Sequence, residues 1–242
     1  MRHLLCLLTF MSLAATADVT PAPAAATSSA TIPWAYQLKD AVASETGPDG
    51  QPKNSLNLDV VDSFLQTIAR YADIYPPHFD NTAERRDATD KLTRLIEVLA
   101  ALDTGPSVNI EVLRREAFAY NLGCNLDLST SCAKAMDVYA RLLKVTPDEP
   151  AANYLFGVFL SGLPPKQREA IPYLEKSLKL GVKRANYTLG ILYLSLHDKK
   201  KALADLQAYS ADFPDDQHAN ELIADIKSGK LSYKKAPAAA TH

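Results

Sequence analysis

Ala119-Tyr120-Asn121-Leu122-Gly123, Asn153-Tyr154-Leu155-Phe156-Gly157 and Asn186-Tyr187-Thr188-Leu189-Gly190 align on their glycines, which stand 34 and 33 residues apart. Downstream of each glycine, by 12, 13 and 12 residues, comes an alanine: Ala135, Ala170 and Ala202. Four residues later each alanine is followed by a bulky side chain, Tyr139, Leu174 or Leu206, and Pro147 and Pro214 close the first and third units. Self-similarity at this period marks stacked helix–turn–helix units. Glycine and alanine let two antiparallel helices approach closely, and the bulky residues one turn on fill the space between neighbouring hairpins. Proline ends the second helix because it cannot continue one.

Helical periodicity extends outward on both sides. Upstream, Leu58, Val61, Leu65, Ile68 and Ala72 recur at three and four residues until the Pro76-Pro77 breaker. Asn81 with Glu84 fits a capping box opening a second stripe, Ala88, Leu92, Leu95, Ile96 and Leu99, which runs to about Leu102. Joined by a short loop, the two helices predict an antiparallel hairpin. Ahead of them, Pro33–Ser44 predicts a short helix with the only tryptophan, Trp34, set apart by the Gly- and Pro-containing stretch Glu45–Asn54. Downstream, Asp216–Lys227 predicts one more amphipathic helix, with Ala219, Leu222, Ile223 and Ile226 on one side, suited to cover the last apolar surface of a repeat array.

The 242 residues are 47% hydrophobic and 22% charged, the composition of a globular chain. Only 9 glycines disfavour a many-stranded β fold. Twenty-six basic against 28 acidic residues give a net charge of −2, which argues against a nucleic-acid partner. Residues 1–17 read as an export signal: Arg2, the apolar run Leu4–Leu13, and Ala15-Thr16-Ala17 as the cleavage pattern. That run is too short to span a bilayer, and no later segment is long enough, so the mature chain is expected to carry no membrane span. Residues 18–32, rich in Pro, Ala, Ser and Thr, read as a flexible linker, and residues 230–242 as a flexible tail.

With the repeats in hand, the segment Glu116–Asp216 resembles three tetratricopeptide (TPR) repeats, with Sel1-like repeats as the near relative through Ala185–Gly190. The resemblance implies an all-α fold, a right-handed solenoid of antiparallel helix hairpins with a C-terminal capping helix. It divides the chain into an N-terminal helical region at 33–105 containing a degenerate hairpin, three repeats within 106–216 (116–149, 150–182 and 183–216), and a cap at 217–229. The chain departs from the family where Ala119, Asn153 and Asn186 replace its tryptophan, where Val182 replaces the closing proline, and by one extra residue near Pro164-Pro165.

In such hairpins the residue three before the glycine faces the concave groove, which would align Tyr120, Tyr154 and Tyr187 as a ladder, with Cys124, Val158 and Ile191 one turn on. Two roles stay open for the ladder: packing, or binding an extended or helical peptide. The basic residues that grip a C-terminal carboxylate in some TPR domains are missing, Asn121 and Arg184 being partial matches. The histidines left after signal removal, His78, His197, His218 and His242, show no metal-ligand spacing, and no catalytic motif occurs. No cofactor or metal is therefore expected. The expected function is a non-catalytic protein–protein interaction scaffold of the bacterial cell envelope, exported to the periplasm or secreted, with a protein or peptide partner. The alternative is a small enzyme or ligand-binding protein on the same scaffold. Cys124 and Cys132, the two cysteines remaining after signal removal, are either a disulfide or two small buried hydrophobes.

Overall fold

A computed structural model describes residues 41–231, except 47, 49, 51 and 104–108. The described residues form a two-stranded ribbon, β1 (Val42–Thr46) and β2 (Pro52–Leu56), followed by nine α-helices. The helices are α1 (Leu58–Ala72), α2 (Thr82–Leu102), α3 (Ile110–Asn125), α4 (Ser131–Val145), α5 (Pro150–Ser161), α6 (Gln167–Lys179), α7 (Ala185–Ser195), α8 (Lys199–Asp212) and α9 (Gln217–Ser228). The fold class is all-α, a helical repeat. The chain divides into two compact units at Leu142–Leu143, near the end of α4.

The ribbon corrects the expectation of a short helix reaching Ser44. Val42–Thr46 pairs antiparallel with Pro52–Leu56, from Val42 opposite Leu56 to Thr46 opposite Pro52. Neither strand alternates apolar and polar residues, so no period-two pattern announced it. The cause lies in the connection Gly47-Pro48-Asp49-Gly50, a turn-forming sequence whose Gly50 has φ +74°. Trp34 and the rest of the expected helix before Ala41, the signal and linker at 1–32, and the tail from residue 232 lie outside the described residues.

In the first unit α1 and α2 both pack on α3. The Asn81 side chain accepts a hydrogen bond from the Glu84 amide at 2.9 Å, the expected cap of α2. Arg115 of α3 grips Asp62 of α1 through Nε at 2.7 Å and Nη2 at 2.6 Å. The Asn125 amide donates to the Ala72 and Asp73 carbonyls at 2.9 and 3.0 Å. The pairs Asp62–Arg115 and Ala72–Asn125 are both offset by 53 positions, so α1 runs parallel to α3, as first helices of successive hairpins do. Arg85, in the first turn of α2, pairs with Asp127 just past the end of α3, so α2 runs antiparallel to α3. Between α3 and α4, Cys124 and Cys132 are joined by a disulfide with their Cα atoms 4.6 Å apart.

The second unit holds the hairpins α5/α6 and α7/α8. A Cβ built on Gly157 would lie 2.6 Å from Leu174 Cγ, and one on Gly190 2.6 Å from Leu206 Cγ. The glycines therefore receive the leucines one turn beyond Ala170 and Ala202, which are themselves fully buried. This amends the expectation that these bulky residues fill the space between hairpins: each leucine seats inside its own. In the first repeat Gly123 meets Ser131 and Leu128 instead, with Ala135 and Tyr139 also buried.

The irregular features of the middle repeat also have physical counterparts. The extra residue at Pro164-Pro165 falls in a 3-10 turn, Pro164–Lys166. Where the closing proline is absent, Gly181 takes φ +98° and the Val182 amide reaches back to the Ser177 carbonyl at 3.0 Å, ending α6. The last helix, α9, packs on α8 and buries Ala219, Leu222, Ile223 and Ile226.

Gly157→Ala and Gly190→Ala each gain helix propensity of up to about 1 kcal/mol. Overpacking against a fully buried leucine costs about 1–3 kcal/mol. We expect a net loss, read as a melting temperature lower by roughly 2–8 °C. Gly123→Ala should lose less, because its nearest obstacle is the Ser131 hydroxyl at 2.8 Å, which can rotate away. Equal melting temperatures for all three variants would refute the leucine-on-glycine account.

Candidate functional site

The side chains expected in a groove fall into two environments. In the second unit, α5 and α7 lie side by side. Tyr154 and Val158 on α5, and Tyr187 and Ile191 on α7, are (i, i+4) pairs at equivalent positions, and all four are half-buried. With Gly157 and Gly190 turned toward the leucines of α6 and α8, these pairs lie round the helices from the hairpin contact and keep part of their surface in solvent. Tyr187 rests on further aromatic rings, its centroid 5.1 Å from Tyr209, which lies 4.7 Å from Phe213. The Tyr209 hydroxyl donates to Asp216 at 2.9 Å. Burial, then the Asp216 charge, push the Tyr187 hydroxyl above its usual range. Arg184 stands exposed at the start of α7; burial, then the Asp216 hydrogen bond and charge, raise the Tyr209 hydroxyl against the opposing charge of Arg184.

The position of Tyr154 is set by its neighbour. Asn153 is buried, and its amide donates to the Pro147 and Glu149 carbonyls at 2.9 and 2.8 Å, pinning the incoming chain to α5. The Glu149 side chain caps α5 by accepting from the Ala152 amide. The same device recurs at α9: Asp216 accepts from the Ala219 amide at 3.0 Å, and the Asn220 amide donates to the Pro214 carbonyl at 2.9 Å. Pro147-Asp148-Glu149 with Ala152-Asn153 and Pro214-Asp215-Asp216 with Ala219-Asn220 share one spacing. That signal was present in the sequence and identifies α9 as the first helix of a further unit.

The first unit is different. Tyr120 is only 9% exposed. Asn121, expected in the groove, is instead buried and lies beside the buried Tyr139 hydroxyl of α4. Cys124 is buried and tied to α4 through its disulfide rather than directed to a groove. Behind Tyr120 lies a cluster that sequence reading missed. Glu116, 4% exposed, lies beside the Asp103 carboxyl, which Arg141 grips at 2.6 Å. Residues 103 and 116 meet because α2 and α3 run antiparallel, and no local pattern links them. Burial, then the Asp103 charge and hydrogen bond, push the Glu116 carboxyl up to about 7, against the opposing pull of Arg141 and Lys134. Burial and then these two acids also raise the Tyr120 hydroxyl.

A carboxyl raised on folding holds its proton in the native state over a range where the unfolded chain has lost it. Stability then falls as pH rises, here from about 4.5 through about 7. Melting temperatures across that range should decline, and Glu116→Gln, which cannot ionise, should flatten the slope. An identical slope in wild type and variant would exclude Glu116 as its source.

No protein-family model matches the chain, and no curated protein matches it. Solved structures do. The crystal structure of MamA is 17% identical with a TM-score of 0.52, covering 63% of this chain and 86% of that one. The crystal structure of TTC0263, a thermophilic TPR protein of Thermus thermophilus, is 17% identical with a TM-score of 0.48, covering 71% of this chain and 92% of that one. At such identity the likeness to MamA is one of fold. Together with hairpins repeating at 33 to 34 residues, two of them closed by a leucine seated on a glycine, it makes the fold a TPR-like helical repeat.

Proposed function

We propose that this protein is an exported, non-catalytic scaffold that holds a peptide segment of another protein against Tyr154, Val158, Tyr187 and Ile191. A TPR-like fold is in general a protein-interaction scaffold. The observation that carries the finer reading is the partial exposure of these four side chains on two adjacent helices, while their counterparts Tyr120 and Cys124 are buried. Aromatic rings with a polar tip, set beside aliphatic side chains, suit a partner that offers apolar anchors and backbone hydrogen-bond groups. Tyr187 is preorganised by its contact with Tyr209, which lowers the ordering cost of binding.

Export rests on the signal-like residues 1–17 and is supported by the Cys124–Cys132 disulfide, which belongs to an oxidising compartment such as the bacterial periplasm. Expressed with its own N-terminus in a bacterium, the protein should fractionate with the periplasm. Its mature chain should begin at Asp18 by intact mass and carry no free thiol. A cytoplasmic product retaining Met1 would overturn export.

The binding face is tested by affinity capture from an envelope extract, followed by titration of the captured partner. Tyr154→Ala and Tyr187→Ala should each weaken binding at least tenfold, equivalent to about 1.4 kcal/mol, with helicity by circular dichroism unchanged. Wild-type affinity in both variants would remove these tyrosines from the interface, and loss of helicity would assign them to packing.

A further inference from the structure

A cavity of about 280 Å³ lies on the side of α7 turned away from Tyr187. Leu189 and Tyr193 line it from α7, Glu175 and Leu178 from α6, and Lys201 and Asp205 from α8. Leu189 stands two residues beyond Tyr187, roughly 200° round the helix, so the cavity and the tyrosine face do not overlap.

Its chemistry is that of a cation receptor. Lys201 Nζ stands 4.9 Å from the centroid of the Tyr193 ring, within cation–π reach, so the chain already seats one ammonium group against this aromatic. Two carboxylates line the cavity against that single ammonium. Burial, then the Glu175 charge, push the Asp205 carboxyl up to about 6 despite the opposing charge of Lys201. A divalent metal ion is a poor match. Calcium takes six to eight oxygen ligands, and among the described residues no group of three or more His, Cys, Asp or Glu side chains could hold a metal. Leu178 and Leu189 offer no ligand to a metal, but they do offer a surface to an aliphatic chain.

We propose that this cavity binds a primary alkylammonium group, the head between Glu175 and Asp205 and the stem along Leu178 and Leu189. A free aliphatic diamine and a lysine side chain of a partner protein share this chemistry.

Calorimetric titration of the protein with cadaverine and, separately, with Nα-acetyl-lysine amide tests it. Saturable one-site binding in the millimolar range or tighter is expected for at least one probe, and none for 1-pentanol or pentanoate. Preference for cadaverine identifies a free amine as the natural ligand, and preference for the lysine derivative a partner's side chain; either supports the site. Asp205→Asn and Glu175→Gln should each weaken binding at least tenfold, with helicity retained. Lys201→Ala, which removes the resident ammonium, should tighten it. Affinity should fall as pH drops below about 6, where Asp205 takes up a proton; Glu175, Tyr193 and Lys201 are the other titratable groups that face it across the cavity. No saturation by either probe up to about 10 mM, far weaker than an ordinary small-ligand site, would overturn the assignment. So would binding left unchanged by Asp205→Asn.

Discussion

Leu174 on Gly157, and Leu206 on Gly190, are contacts in which one helix admits the side chain of another to the level of its own backbone. Each fixes two things at once. It brings the paired helices close, and it fixes the rotation of the glycine-bearing helix about its axis. Once Gly190 is turned toward α8, the spacing of 3.6 residues per turn assigns every other residue of α7 to a side. Tyr187 and Ile191 go one way, Leu189 and Tyr193 another, and Asn186 is carried into the interior. A hydrophobic stripe alone would leave that rotation looser, since α7 is apolar nearly all round.

The first repeat reaches a similar hairpin by other means. Its glycine meets a serine, a covalent bond ties Cys124 to Cys132, and a buried tyrosine faces a buried asparagine of the other helix. Polar and covalent constraints there do what a leucine does elsewhere. The result is a less accessible repeat in which the tyrosine and its neighbours are interior groups, with the Asp103 and Glu116 carboxyls behind them. Equivalent sequence positions thus acquire different roles within one chain.

Most of the helices could be read from the sequence, because they are specified locally. The Asn81 cap, the apolar stripe of α2, the covering helix α9 and the glycine register all rest on residues within a few turns of one another. The ribbon escapes because its strands carry no alternation and its turn chemistry equally suits a separator between helices. The partner of each glycine escaped because small-against-small and small-against-large packing leave the same spacing. Of the site, the tyrosines and the aliphatic residues after them were legible as a periodic set. Their unequal exposure was not, because Tyr120 is buried near Asp103 and Glu116, which only the antiparallel course of α2 and α3 brings together, and Arg141, which α4 adds. The cavity of α6, α7 and α8 likewise draws on three helices, none of which shows a motif.

The recurrence of one cap and one asparagine clasp at α5 and α9 bears on the history and the engineering of the chain. Residues 147–213 begin and end at equivalent points, so they constitute a module in sequence and in hydrogen bonding. A second copy spliced in frame before Pro214 would meet the first across the same proline, the same capping carboxylate and the same buried alanine that now join α8 to α9. The length of the array is thereby uncoupled from the chemistry of its joints. An array with such a joint can be lengthened or shortened by whole tandems without a new interface, provided the helix after the last hairpin keeps its solvent side polar, as Glu221 and Lys227 do here.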